Sequence, residues 1–132
     1  MKKVEAIVFV VTIAAQAGLT SWASQTVRER DPAWEVPSKD AAKSNPLAHQ
    51  PALAAGGRKL YGQRCNTCHG NDARGTDRGP SLMAADVQAQ SDGEFFWKIT
   101  TGNTHAGMPS FSFLPEVQRW QLVMHLRAIG RE

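Results

Sequence analysis

The strongest chemical signal in the chain is the pentapeptide Cys65-Asn66-Thr67-Cys68-His69. Two thiols three residues apart can each add across a vinyl group of one haem, and the adjacent imidazole then lies over the iron as its proximal ligand. The spacing therefore predicts one haem c, attached covalently through Cys65 and Cys68 and bound at the iron by His69.

Other uses of two closely spaced cysteines fit the rest of the sequence poorly. The chain has only two cysteines, and His49, His105 and His125 do not form a pair at zinc-finger spacing. A redox-active dithiol belongs near a βαβ pattern, which is absent. A disulfide across three residues would close a very short loop and would add little stability.

Length and composition limit the remaining classes of function. The chain has 132 residues, which is the length of one domain, and 42% of them are hydrophobic and 20% charged. It is therefore neither a disordered tail nor a membrane protein with several spans. The formal net charge of +3 is a mild excess, and without a dense basic run it predicts no nucleic-acid partner.

The amino terminus has the pattern of a secretory signal peptide. Lys2 and Lys3 precede the apolar residues 6–15, and Ser21-Trp22-Ala23 offers small residues at a cleavage site. A retained membrane anchor would need about 20 strongly apolar residues, and Gln16 interrupts this stretch early. We therefore expect residues 1–23 to be removed and the protein to be periplasmic. Only a retained segment would associate it with a membrane.

Residues 24–51 are predicted to be a proline-rich extended arm before the domain. Four of the seven prolines lie in this segment, and such a density prevents any long helix or central strand. Trp34 is its single large aromatic residue. Two interpretations stay open: a solvated linker, or an arm that Trp34 pins to the domain.

Helix signals dominate residues 52–132, so the fold class is all-α. A first helix leads into Cys65, and Gly57 within it predicts a close approach by another helix. A second helix begins at a capping box formed by Ser91 and Glu94, and Gly102 can end it. The last helix lies between Pro115 and Gly130. It has two apolar stripes on nearly opposite sides and must therefore pack between two partners. The first stripe contains Val117, Trp120, Met124 and Ala128, and the second contains Leu122, Leu126 and Ile129.

Beyond these patterns, the sequence resembles the class I c-type cytochromes over about residues 52–131. The resemblance rests on residues 57–61 leading into the cysteine motif, on Gly79-Pro80-Ser81-Leu82, on Gly107-Met108-Pro109 and on the last helix around Trp120. It implies a small helical domain wrapped around one haem. It also implies that the Pro80 carbonyl accepts a hydrogen bond from the His69 ring. The loop at residues 75–79 departs from the tighter glycine–aspartate–glycine turn of many relatives.

The second axial ligand of the iron has four candidates: Met83, Met108, Met124 and His105. Met83 follows the cysteine motif closely, and Met124 belongs to an apolar stripe of the last helix. Met108 lies in a loop free to reach over the other haem face, and the resemblance makes it the family's methionine ligand. His105, in the same loop, is its rival. A thioether ligand favours the ferrous state and raises the reduction potential.

The predicted dry wall of the haem site is apolar and largely aromatic. It consists of Leu82, Phe95, Phe96, Trp97, Ile99 and Trp120.

Two classes of function follow from such a site. A closed His/Met site makes the protein a carrier of single electrons between redox proteins, not an enzyme. With the same chemistry, it could equally be the electron-transfer subunit of a dehydrogenase, an oxidase or a membrane complex. An open or displaceable distal site would make it a haem enzyme or a gas sensor. Several basic residues could steer an acidic partner or simply form a mixed-charge surface; these are Arg58, Lys59, Arg64, Arg74, Arg78 and Lys98.

Overall fold

A computed structural model describes residues 34–131 of the chain. The predicted signal peptide at residues 1–23 and the first part of the predicted arm, residues 24–33, lie outside the described residues. Within the described part the regular elements are all helical, which confirms the predicted fold class. The α-helices are α1 (Ser38–Ala41), α2 (Ala54–Arg64), α3 (Asn66–His69), α4 (Ala85–Gln88), α5 (Asp92–Thr101) and α6 (Glu116–Ile129), with 3-10 helices at Pro51–Leu53 and Thr104–Ala106. None of the helices between residues 34 and 131 has the length and apolar character needed to cross a bilayer.

The central packing of the domain is the crossing of α2 and α6. A Cβ placed on Gly57 would lie 1.9 Å from the backbone oxygen of Gln121, so only glycine allows the two backbones to come this close. One turn later, the ring of Tyr61 packs edge-on against His125, with 5.2 Å between the ring centroids. The predicted close approach at Gly57 is therefore confirmed.

Helix α5 begins and ends as its sequence predicts. The backbone N–H of Glu94 donates to Ser91 Oγ at 3.1 Å, and the Glu94 carboxylate accepts from the backbone N–H of Ser91 at 2.6 Å. At the other end Gly102, with φ of +65°, ends the helix. These two caps fix the length of α5 and the direction of the loop that follows it.

Helix α6 lies between α2 and α5, as its two apolar stripes predict. Trp120 stacks on Phe96 of α5 with 3.9 Å between ring centroids, and Leu122 and Val123 are almost completely buried. Val117, predicted in the first stripe, is 48% exposed instead. It lies one turn before the crossing at Gln121, where α2 no longer covers it.

The described part of the arm, residues 34–50, packs against the domain. The Trp34 indole N–H donates to Gly102 O at 2.7 Å, and the Asn45 side-chain amide donates to Trp120 O at 3.2 Å. Between them, Ser91 Oγ donates to Ala41 O at 2.7 Å. For these residues the interpretation of an arm pinned by Trp34 is therefore correct. The arm is not extended throughout, because α1 forms one helical turn between its prolines.

Candidate haem-binding site

The two cysteines and the histidine of the motif come from one turn of chain at the end of α2. Cys65 is the joint between α2 and α3, since its N–H donates to Tyr61 O at 2.9 Å while its own carbonyl accepts from His69 N at 2.9 Å. Cys68 lies one turn further, within α3. All three motif side chains are half-buried. The motif therefore presents two sulfurs and one imidazole on a short, hydrogen-bonded segment.

The His69 ring is held by a backbone carbonyl. Its Nδ1 lies 2.8 Å from Pro80 O, the partner that the family resemblance assigns to it. A carbonyl oxygen can only accept, so Nδ1 carries the proton and Nε2 keeps its lone pair. This tautomer and this second partner are what a metal-bound imidazole requires.

The loop after the motif packs tightly against the imidazole. A Cβ on Gly79 would lie 2.9 Å from Cys68 O and 3.2 Å from the Cε1 atom of His69. Thr76 connects the loop to the motif and to its own far end. Its hydroxyl donates to Cys68 O at 2.6 Å, and its backbone N–H donates to Gly79 O at 2.9 Å. These hydrogen bonds close the loop, although it lacks the tighter glycine–aspartate–glycine turn that the resemblance led us to compare it with.

Both thiols of the motif are free. Burial raises the pKa of the Cys65 thiol to about 11, and the neighbouring Cys68 adds to this shift. Cys65 is therefore a protonated thiol at neutral pH. Across residues 34–131, no three or more His, Cys, Asp or Glu side chains are grouped so that they could hold a metal ion. Two free thiols beside one imidazole fit thioether chemistry at the sulfurs and a metal at the imidazole.

Tyr61 is a site residue whose role the sequence did not reveal. Its hydroxyl donates to Gly70 O at 2.7 Å, directly after the histidine of the motif, and the side chain is only 3% exposed. Burial, with smaller contributions from Cys65 and Asp72, raises the pKa of the hydroxyl to about 12. Its position four residues before Cys65 placed it on the right helix face, but a bond to a loop carbonyl has no local sequence signal.

Met108 lies in a loop that folds back onto α5. Its backbone exchanges two hydrogen bonds with Asn103, each 2.9 Å long, and further along Ser110 Oγ donates to Thr100 O at 2.7 Å. Phe111 N–H then donates to Ile99 O at 3.1 Å. The Met108 side chain is half-buried and packs against the hydrophobic core. The loop therefore holds Met108 in place on both sides.

The other candidate ligands lie in different surroundings. His105 is exposed on the 3-10 helix Thr104–Ala106 and lines a cleft together with Trp34 and Trp97. Met124 is buried within α6 at 8% exposure, as its stripe predicts. Met83 lines a groove beside residues of α2 and α6. Met108 alone combines contact with the core and a place in the loop that follows α5.

The predicted wall residues divide into two groups. Phe95, Phe96, Ile99 and Trp120 are buried in the hydrophobic core, and Leu82 packs against it from the loop. Trp97 is half-buried and lines the cleft beside Trp34.

Several apolar side chains on the core are left only partly covered by protein. They are Leu47, Leu60, Cys65, Leu82, Met83, Val87, Met108 and Ile129. A haem attached at the motif would bury apolar area of this kind, which favours its binding. The two sulfurs of Cys65 and Cys68, the His69 imidazole and this partly covered apolar surface all fit a covalently attached haem.

A comparison with protein families supports this assignment. The family model described as "Cytochrome C oxidase, cbb3-type, subunit III" matches residues 52–126, which is more than half of the chain. The match runs from the 3-10 helix before α2 into α6 and includes the motif, Pro80 and Met108. Among curated proteins, none matches the chain.

Proposed function

We propose that this chain, which belongs to the c-type cytochromes, carries single electrons through one haem c. The family domain covers residues 52–126. In this proposal His69 and Met108 bind the haem iron. The observation that carries this proposal is the 2.8 Å hydrogen bond from His69 Nδ1 to Pro80 O, which leaves Nε2 as a metal ligand beside two free thiols. Its role is electron transfer rather than catalysis. Covalently bound haem c and redox protein partners follow from the family.

The chain's own residues would attach, orient and shield the group. Cys65 and Cys68 would each add a sulfur to a vinyl carbon, with the thiol hydrogen passing to the neighbouring carbon, so that no oxidant is needed. Pro80 fixes the orientation of the His69 ring, and Met108 would bind the iron through its thioether sulfur. A haem bound in this way supplies a one-electron ferric/ferrous couple with a raised potential.

The cellular setting is part of the proposal. Residues 1–23 would direct export and be cleaved, which places the carrier in the periplasm. The matching family is described as an oxidase subunit, so we infer that a membrane oxidase complex is the partner or the assembly in which it works. A redox dehydrogenase is the other class of partner. Such electron-transfer contacts are small and transient.

Haem content and cleavage are tested together on protein exported from a host that matures c-type cytochromes. A pyridine haemochrome spectrum and an intact mass should show one haem that remains attached on denaturation, on a chain beginning at Ser24. A colourless product with the mass of bare polypeptide would overturn the proposal.

The second ligand is tested by Met108→Ala, with Met83→Ala and His105→Ala as matched controls. Loss of the thioether should lower the midpoint potential and open the iron to carbon monoxide and cyanide, whereas both controls should behave as wild type. Rapid, tight carbon monoxide binding by the unmodified protein would indicate the haem enzyme or gas sensor instead. An unchanged Met108→Ala variant would move the ligand to His105 or Met83.

A further inference from the structure

Trp34 joins the arm to the start of the loop that carries Met108. Its indole N–H donates to Gly102 O at 2.7 Å, and the Lys98 ammonium lies 4.7 Å from the centroid of its ring. Gly102 is buried and ends α5 with a φ of +65°. The arm therefore meets the domain at the residue where the chain turns from helix into loop.

Gly102 is in direct contact with both sides of this loop. It precedes Asn103, which pairs with Met108 through two backbone hydrogen bonds of 2.9 Å. A Cβ on Gly102 would lie 2.5 Å from the backbone of Pro109, the residue after Met108. A displacement of Gly102 must therefore displace the backbone on each side of Met108.

We propose that Trp34 is a positioning residue for Met108, acting through the Gly102 carbonyl. Without the indole N–H, this carbonyl loses a partly buried partner, and the loop opens more often. Each opening exposes the metal to competing ligands, so their apparent affinity rises in proportion to the open fraction. This role rests on the proposed ligation by Met108.

The test compares Trp34→Phe with Asn45→Ala in the complete haem-loaded protein. Phenylalanine keeps an aromatic ring beneath Lys98 but lacks the indole donor. Asn45→Ala removes another bond between arm and domain, the one to Trp120 O on α6, together with the bond from Leu47 N to Asn45 Oδ1; neither partner belongs to the Met108 loop. Trp34→Phe should bind cyanide in the ferric state about fivefold more tightly, the equivalent of one lost hydrogen bond. It should also lower the midpoint potential, while Asn45→Ala should change neither.

A Met108→Ala background separates this role from general loosening of the fold. There the metal is already open, so adding Trp34→Phe should leave cyanide affinity unchanged. If Trp34→Phe binds cyanide with wild-type affinity, or if it still raises cyanide affinity in the Met108→Ala background, Trp34 does not position Met108. Either result would leave the proposed ligation by Met108 intact. If Met108→Ala itself leaves affinity and potential unchanged, the proposed ligation fails, and the role of Trp34 fails with it.

Discussion

The hydroxyl of Tyr61 shows how one residue can link the helix before the motif to the loop after it. The bond to Gly70 O spans the whole Cys65–His69 segment, and the side chain is 3% exposed. Removal from water penalises the charged phenolate more than the neutral phenol. Folding therefore favours the protonated form of this residue.

This predicts how stability depends on pH in the alkaline range. The pKa of Tyr61 is raised from 10 to about 12, so its contribution to stability is complete below pH 10 and is lost as the pH rises through about 12. Tyr61 is the only tyrosine in the sequence, so tyrosine labelled with carbon-13 gives one ring resonance to titrate in the reduced protein. The urea-unfolded chain should titrate near 10. A folded-state midpoint equal to that value would contradict the effect of burial.

At the scale of the elements, two glycines of α2 give opposite predictions. Gly57→Ala drives a methyl group into the Gln121 backbone, 1.9 Å away, and should destabilise the fold by about 3 kcal/mol or prevent it. Gly62 has open space around the same position. Gly62→Ala should stabilise the helix by about 0.5–1 kcal/mol. Urea unfolding of both variants at equal haem content provides the measurement, and shifts of the same sign would refute the crossing geometry.

What the sequence could predict depends on how local the determinants are. The capping box of α5 and the helix end at Gly102 involve residues within one or two turns, so residue type and spacing were enough. Gly57 was also informative, because a glycine inside a helix indicates close packing. The bond from Trp34 to Gly102 joins residues 68 positions apart, and that from Asn45 to Trp120 joins residues 75 apart. No local pattern encodes such pairings, so the sequence alone does not distinguish a solvated linker from an arm pinned by Trp34.

At the scale of the whole molecule, Arg127 connects α6 to the end of α4, the start of α5 and the residues that join them. Its guanidinium donates to Asp92 Oδ1 and to Gln88 O, both at 2.7 Å, and also to Gln90 O. It lies 4.7 Å from the centroid of the Phe95 ring. One planar cation thus holds three acceptors of a single short stretch, which lies 35 to 39 positions before Arg127 in the sequence.

Loss of this cation should destabilise the whole domain. Arg127→Met leaves several acceptors without a donor and should lower the free energy of unfolding by about 2–3 kcal/mol. Arg127→Lys should restore only part of this stability, because an ammonium group lacks the planar, forked donors of a guanidinium. The control is Arg74→Met, since the Arg74–Asp72 pair is 3.5 Å long and largely exposed. Its loss should cost less than about 1 kcal/mol. Thermal unfolding measures the stability of both variants. Equal losses of stability in Arg127→Met and Arg74→Met would show that the contacts of Arg127 do not stabilise the domain.

The crossing of α2 and α6 also has a consequence for the order of events during synthesis. The ribosome makes α2 and the cysteine motif before α6, so α2 lacks the helix that it packs against until α6 has been made. In a chain that has not yet folded, Cys65 is not buried and the pKa of its thiol is near 9, whereas burial in the fold raises it to about 11. Because the thiolate is the reactive form, the nascent chain is more reactive at sulfur than the finished fold. Attachment of a haem would therefore be favoured in a chain that is exported before it folds.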